Sequence, residues 1–259
     1  MKCIIAPKVP NNEGSLALLR MHAPENCILN ALHPFPVATR HVVGQMLPDL
    51  VIGCLNQALD DQVPAEGTSC LWNLNVRGQT RSGAGGNYGF SMAVTSNGGT
   101  GARFAKDGLS ATAYPSGVRG TPVEIAETQT PLIFWRKELR PDSGGAGRTR
   151  GGLGQIIEVG SGIDAPFEIL AAFDRIDHPP RGRDGGRDGE NGYIGLKSGL
   201  KLRGKGFQTV PADDRLVVMT PGGAGIGDPR ERIVASVHDD VASDLVSSEK
   251  AAAVYGLPR

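Results

Sequence analysis

The chain has 259 residues, and its 27 lysines and arginines balance 27 aspartates and glutamates at a formal net charge of zero. That length supports one large domain or two small ones with a sizeable core, and without a basic arm or aromatic residues interleaved with Arg and Lys it argues against nucleic acid as a partner. Apolar runs are too short to cross a membrane, and the few apolar residues before Pro7 are too short for a secretory signal, so a cytoplasmic protein is expected.

Residues 1–40 contain Pro7, Pro10, Pro24, Pro34 and Pro36 and read as extended segments and turns. The stretch ATRHVVGQMLPDLVIGCLNQALDD (38–61) reads as a helix. Its apolar set, Val42, Val43, Met46, Leu50, Val51, Cys54, Leu55 and Ala58, recurs at three- and four-residue steps. The pattern predicts a core-packing helix that Pro48 kinks or restarts. From Gly67 to Gly101, glycine alternates with short β-prone runs such as CLWNLNV and FSMAVTSN. TPVEIAETQTPLIFWRKEL (121–139) reads as strand-like in part. GQIIEVG, PFEILAAF and RLVVMTP read as strands bounded by Gly, Pro or Asp, and RDGGRDGENG (183–192) as a polar surface loop. The end is helical again: Ile233, Val237, Val241 and Leu245 recur at helical spacing, then SSEKAAAVYG offers a serine cap and a Gly256 stop. The expected fold class is α+β, with a β-rich middle, an early core helix and short C-terminal helices. Residues 1–259 read as a single region, with a weakly marked boundary near 101–120.

Glycine, at 37 residues, is the informative excess, and three clusters of it invite a phosphate-binding reading. In LRPDSGGAGRTRGGLG (139–154), a dinucleotide fingerprint fails because Arg150 stands where its third glycine belongs and no helix follows. Successive N–H groups there suit an anion nest, with Arg148 and Arg150 as added donors; a tight turn with solvated arginines is the plainer reading. GLKLRGKG (199–206) misses a P-loop at its last position, where Gly206 has no hydroxyl, and reads as a turn with Lys205 exposed. TPGGAGIGDPRER (220–232) suits either a helix N-terminus open to an anion or a connection that needs positive φ angles. Glu124 and Glu127 are the candidate acid–base pair: neighbours on a helix, on opposite faces of a strand. Cys3, Cys27, Cys54 and Cys70 read as reduced thiols, and the five histidines form no metal-binding spacing.

Longer strings go further. GGTGARFAKDGLSA (98–111), TPVEIAETQTP (121–131), LRPDSGGAGRTRGGLG (139–154) and TPGGAGIGDP (220–229) occur in this order. Together they resemble the C-terminal half of the hydantoinase B/5-oxoprolinase family. VPNNEG, APENCILN and PFPVATR resemble its middle region, and SSEKAAAVYGL its ending, so the likeness covers nearly the whole chain. It implies ATP-dependent hydrolysis of a cyclic amide such as a hydantoin or 5-oxoproline. An A-type partner, holding ATP and magnesium, phosphorylates the amide oxygen, and the B-type chain completes ring opening. Related subunits serve ATP-dependent ketone carboxylases, which makes a carboxylase subunit one alternative; a non-catalytic truncated structural or interaction module is another. Family B chains are about twice as long, and their N-terminal half carries Asn-Asp-Pro, Gly-Thr-His and His-x-x-Asp segments, none of which occurs here. The resemblance therefore places a metal ion in that missing half, assigns this chain no metal or nucleotide of its own, and implies a split, truncated or fragmentary subunit that is inactive alone. By residue, Glu124 and Glu127 match the family's paired glutamates. Asp142, Gly144, Gly145, Gly147, Arg148, Gly151 and Gly152 match its glycine–arginine loop, and Gly222, Gly223, Gly225 and Asp228 match its last loop. These are candidates for shaping a cleft, an anion-binding loop or an inter-subunit surface.

Overall fold

The computed structural model describes residues 2–37, 40–59, 62–80 and 88–257. The chain divides into two compact units, residues 1–63 and 64–259. The first holds α1 (Lys2–Ile5), α2 (Glu13–Leu16) and α3 (Arg40–Leu55). Asn12 caps α2 through a reciprocal pair of bonds with Ser15. The early helix forms as its spacing predicts and continues through Pro48; positions 38, 39, 60 and 61 of the expected span lie outside the described residues. Its role differs from the expectation of a core helix. Gln45, Asp49 and Ile52, four and then three residues apart, are its buried residues, while Leu50 and Val51 are 58% and 41% exposed. Periodicity located the helix correctly, but the buried face mixes Ile52 with two polar residues, and of the expected apolar set Val42, Val43, Met46 and Leu55 are half-buried while Leu50, Val51, Cys54 and Ala58 are exposed.

The second unit is two four-stranded antiparallel sheets. Strands β1 (Leu71–Thr80), β2 (Tyr88–Asn97), β5 (Phe167–Ala172) and β7 (Lys205–Val210) form one, in the order β2-β1-β5-β7. Strands β3 (Leu132–Leu139), β4 (Gln155–Ser161), β6 (Tyr193–Leu196) and β8 (Arg215–Met219) form the other, in the order β3-β4-β8-β6. In β1 the side chains alternate: Trp72, Leu74 and Val76 are buried, while Asn73 and Asn75 take the other face. The buried set shares one core with Phe167 and Ile169 of its own sheet and with Leu132, Ile157, Val159, Leu216 and Val218 of the other. Trp72 anchors this core, stacked on Phe173 at 4.4 Å with its Nε1 donating to the Asp174 carbonyl. The expected strands in GQIIEVG, PFEILAAF and RLVVMTP all form, so the chain is α+β. The glycine-rich 81–87 stretch of the expected β region lies outside the described residues.

The strand-like part of 121–139 is β3, and VEIAETQ ahead of it is helical. It forms α4 (Val123–Gln129), entered from Pro122 and left at Thr130, which precedes Pro131 and takes an extended conformation. Ala126 faces inward, and Thr130 Oγ1 donates to its carbonyl. After β8 come a short 3₁₀ turn (Pro229–Glu231), α5 (Val234–Ala242) and α6 (Ser248–Tyr255). Helix α6 ends as its sequence predicts: the Ser247 hydroxyl accepts from the Lys250 N–H, and Gly256 adopts the left-handed conformation. Val237, Val246, Ala251 and Tyr255 pack with Ala146, which fastens these two helices to the glycine–arginine loop. Ile233, expected on the apolar face, precedes α5 and is exposed. Among the described residues no helix is long and apolar enough to cross a membrane.

Candidate functional site

Two of the glycine clusters, 139–154 and 220–232, interlock backbone against backbone with 98–109 and 180–192. Gly145 N–H donates to Gly223, Gly223 to Gly152, Gly152 to Thr100 and Ala102 to Ala224. Thr149 and Ile226 exchange a pair of bonds, and Arg187 N–H donates to Ala146 while Gly225 donates to Arg187. The polar 183–192 loop is thus stitched into the assembly, although most of its side chains face solvent. A methyl group on Gly151 would overlap the Gly223 carbonyl, and one on Gly222 the Ser143 carbonyl. These glycines are required by close approach. In 220–228 the positive φ expected of a connection occurs at Gly227.

This interlocking determines what the loops can bind. In the glycine–arginine loop, the N–H groups of Gly145, Arg148, Thr149, Gly151 and Gly152 donate to protein carbonyls. Those of Arg150, Leu153 and Gly154 donate to Asp107 Oδ1, Ser110 Oγ and Ser143 Oγ. Across from it, the N–H groups of 222 to 227 donate in turn to the carbonyls of Glu190, Gly152, Glu66, Arg187, Thr149 and Arg183. An anion nest needs free, convergent donors, and most of the N–H groups of these loops are engaged inside the protein; those of Gly144, Ala146 and Gly147 are not among them. The helix end expected after Gly227 is a three-residue turn in which the Arg230 N–H donates to the Asp228 carboxylate at 2.9 Å. The loops act as a clamp.

Two groups of buried charges lock the clamp. Arg150, 4% exposed, directs Nε and Nη2 to the Asp240 carboxylate at 3.3 and 3.2 Å and Nη1 to the Gly151 carbonyl. Arg232 binds Asp107 through both nitrogens of its fork at 2.8 and 2.7 Å and reaches Asp240 at 2.7 Å. Two cations and two anions balance, and α5 is thereby tied to the loops through Asp240. Burial alone works against each charge, but the paired hydrogen bonds outweigh it: Asp107 sits below the ordinary carboxylate range and Arg232 is held protonated. The second group is centred on Glu66. Burial raises its pKa, but the bonds from Arg181 and the charge of Arg175 at 3.1 Å bring it below its usual value. The Glu66 carbonyl also accepts the Ala224 N–H, so this group grips the last glycine loop directly.

The carry-over residues separate into two places. Asp142, in the left-handed region at φ 63°, accepts from Ser247 N–H and from Lys250 Nζ and so holds the start of α6. Arg148 is partly exposed, lying over the Phe104 ring at 4.8 Å with a 3.5 Å approach to Glu231. Gly144, Gly145, Gly147, Gly151, Gly152, Gly222, Gly223, Gly225 and Asp228 all lie in the clamp. Glu124 and Glu127 lie outside it, on exposed turns of α4. The Glu127 carboxylate accepts the Phe134 N–H at 2.7 Å, while the Glu124 charge acts on Lys137, whose ammonium is disfavoured chiefly by burial. In the P-loop-like string, Gly199 takes the positive φ of the expected turn, while Lys205 and Gly206 open strand β7 and Lys205 pairs with Asp174 at 2.7 Å. Burial pushes the Cys70 thiol up to about 12, far from a reactive thiolate. Sequence reasoning did not single out Asp107, Asp240, Arg232, Glu66, Arg175 or Arg181, whose partners lie far away along the chain.

Fold and site together define an α+β protein built on a rigid glycine-loop clamp, with its candidate carboxylates displayed on a separate exposed helix. The hydantoinase B/oxoprolinase family model matches residues 1–229, and the chain belongs to that family. An uncharacterized protein of Methanocaldococcus jannaschii is 33% identical over 259 residues, covering 97% of this chain and 44% of its own length. The caprolactamase subunit beta of Pseudomonas jessenii is 29% identical over 272 residues, covering 96% of this chain and 45% of its own length. The crystal structure of the ATP-dependent caprolactamase from that organism superposes with a TM-score of 0.73 at 26% identity, covering 89% of this chain and 42% of that one. The chain thus spans less than half the length of these curated relatives.

Proposed function

We propose that this chain is the clamp-bearing part of a B-type subunit that, with an A-type subunit, opens a cyclic amide at the expense of ATP in the cytoplasm. The observation that carries this reading is the family match across 1–229, which takes in every interlocking glycine loop. A relative described as a caprolactamase beta subunit supports both the lactam class and the need for a partner subunit. In this scheme ATP and magnesium sit on the A-type subunit, and phosphorylation there makes the amide oxygen a leaving group. Water adds to the carbonyl carbon, the ring C–N bond breaks to leave an acyl phosphate and an amine, and a second water releases phosphate from the acyl group to give the acid.

The proposal assigns the metal ion to the remainder of the B-type subunit and the nucleotide to the A-type subunit, as the family resemblance implies. Here the clamp holds one wall of the cleft or of the inter-subunit surface rigid. Glu124 is the better-placed carboxylate for proton transfer, because Glu127 is already bonded to the Phe134 N–H.

The test mixes the chain with the remainder of a B-type subunit, an A-type subunit and ATP over a panel of lactams and hydantoins. Ring opening with stoichiometric phosphate release, dependent on every component, is expected, and the chain alone should turn over nothing. Bicarbonate-dependent consumption of a ketone instead would replace this reading with a carboxylase. Activity that persists when the chain is left out would reduce it to a non-catalytic module.

A further inference from the structure

An aspartate or asparagine followed by glycine is a reactive pair. The glycine nitrogen, with no Cβ beside it, can attack the preceding side-chain carbonyl and close a five-membered ring. The sequence has five such pairs: Asn97–Gly98, Asp107–Gly108, Asp184–Gly185, Asp188–Gly189 and Asn191–Gly192. Attack needs a side chain free to turn and a nitrogen free of other bonds, because it proceeds only from a near-attack geometry. The fold withholds one or both at every pair but one. Asn97 is 3% exposed, and its Nδ2 donates to the Val118 carbonyl. The Asp107 carboxylate is gripped by Arg232, and the Gly108 N–H donates to the Arg150 carbonyl at 2.7 Å. Asp188 accepts from the Gly182 N–H, and the Gly189 N–H donates to the Pro180 carbonyl. The Gly192 N–H donates to the Arg175 carbonyl at 2.9 Å, and a Cβ there would strike Trp72, so this nitrogen is held in place.

Asp184 and Gly185 are held differently. They are the central residues of a turn closed by the Gly186 N–H donating to the Arg183 carbonyl at 2.8 Å, with φ of 53° and 90°. Positive φ at both positions makes this the type I′ turn that Asp-Gly favours. Both residues are exposed, and the Gly185 N–H donates to no carbonyl among the described residues. We infer that Asp184 is a site of spontaneous isoaspartate formation and that this modification loosens the clamp. The Gly185 nitrogen bonds to the Asp184 Cγ, and a carboxyl oxygen leaves as water with the proton from that nitrogen and the carboxyl's own. A second water then opens the succinimide. Attack at Cγ restores aspartate. Attack at the former backbone carbonyl breaks its bond to nitrogen, so the chain now runs through Cγ and is one methylene longer. That methylene falls between two anchors of the 180–192 loop. Arg183 donates to the Gly225 carbonyl and accepts from the Gly227 N–H, while Arg187 donates to Ala146 and accepts from the Gly225 N–H. Lengthening the turn puts the two anchors out of register and frees 225–227.

The experiment ages the purified full chain at neutral pH in water enriched in heavy oxygen, folded in one arm and unfolded in urea in the other. Each passage through the succinimide writes solvent oxygen into the residue. Peptide mapping by mass spectrometry locates the label, and electron-transfer fragmentation separates isoaspartate from aspartate. In the folded chain, label and isoaspartate should stand at Asp184 at least about 10-fold above the other pairs, whose attack geometry is blocked. Urea should reverse that order, with Asn97 and Asn191 leading, because ammonia leaves an amide more readily than water leaves a carboxyl. Asp184→Asn, which suits the left-handed conformation, should lose ammonia faster than Asn191 does in the same folded chain. Amide hydrogen exchange reads the consequence: in the isoaspartyl fraction, 225–227 should exchange at least about 10-fold faster than in fresh chain. Asp184→Gly, which has no carboxyl to cyclise, should age without that change. Label spread evenly over the pairs in the folded chain, Asn97 or Asn191 leading there, or an Asp184→Asn chain that keeps its amide as long as Asn191 does would overturn the site. Unaltered exchange at 225–227 in the isoaspartyl fraction would overturn the loosening.

Discussion

At the scale of single residues, the clamp depends on charges that have left water in matched pairs. Asp240 serves both Arg150 and Arg232 from a position where its side chain is 9% exposed. Asp240→Asn keeps the shape but takes from the buried Arg150 guanidinium its carboxylate partner and leaves Arg232 with Asp107 alone. Breaking such a network costs about 3–5 kcal/mol, and chemical denaturation should show a loss of roughly 3 kcal/mol. Acid should act on the same contacts. Asp107 and Glu66 both have depressed pKa values in the folded protein, so their contribution is complete above the ordinary carboxylate range of about 4. It is lost as pH falls through the depressed values, and the urea midpoint should drop steeply there. A midpoint flat from neutral pH to about 2.5 would contradict this. None of these pairings was legible in the sequence. Arg150 and Asp240 are 90 positions apart and Asp107 and Arg232 are 125 apart, and no local pattern encodes a pairing at such distances.

At the scale of elements, local rules succeeded wherever the deciding chemistry was local. Ser247 and Gly256 bracket α6 because a cap and a left-handed stop act within one turn. The strand of Trp72, Leu74 and Val76 followed its alternation. The segment 121–139 held its strand in β3, but VEIAETQ spans too few residues to separate periods of 2 and 3.6, and Pro122 and Pro131 just outside its ends were the better signal for α4. Helix α3 was located correctly but only part of its expected apolar set is covered, since periodicity identifies an apolar stripe without saying what covers it. Two glycines distinguish the uses of that residue. Gly44 in α3 has open space around its missing Cβ, so Gly44→Ala should raise helix stability by about 0.5–1 kcal/mol. Gly151→Ala meets the Gly223 backbone and should cost about 3 kcal/mol. Thermal melts of the two variants should therefore shift in opposite directions, and a neutral Gly151→Ala would mean that the loops are not in contact.

At the scale of the whole molecule, the glycine strings carry two meanings. As a family signature they were legible in the sequence in order and in number. As physical objects they were not, because glycine in a string does not distinguish a loop open to phosphate from loops pressed against each other. The distinction lies in where the N–H groups point. Here those of 222–227 all end on protein carbonyls, and the assembly works as support for chemistry that the proposed function distributes over partner subunits. Amide hydrogen exchange followed by NMR on the isolated chain, with no nucleotide or partner added, tests that claim most directly. Gly145, Gly151, Gly152 and 222–227 should exchange as slowly as the central strands β1 and β4. Exchange at the rate of an open loop, slowed only when ATP or phosphate is added, would contradict the clamp and restore an anion-binding role to the glycines.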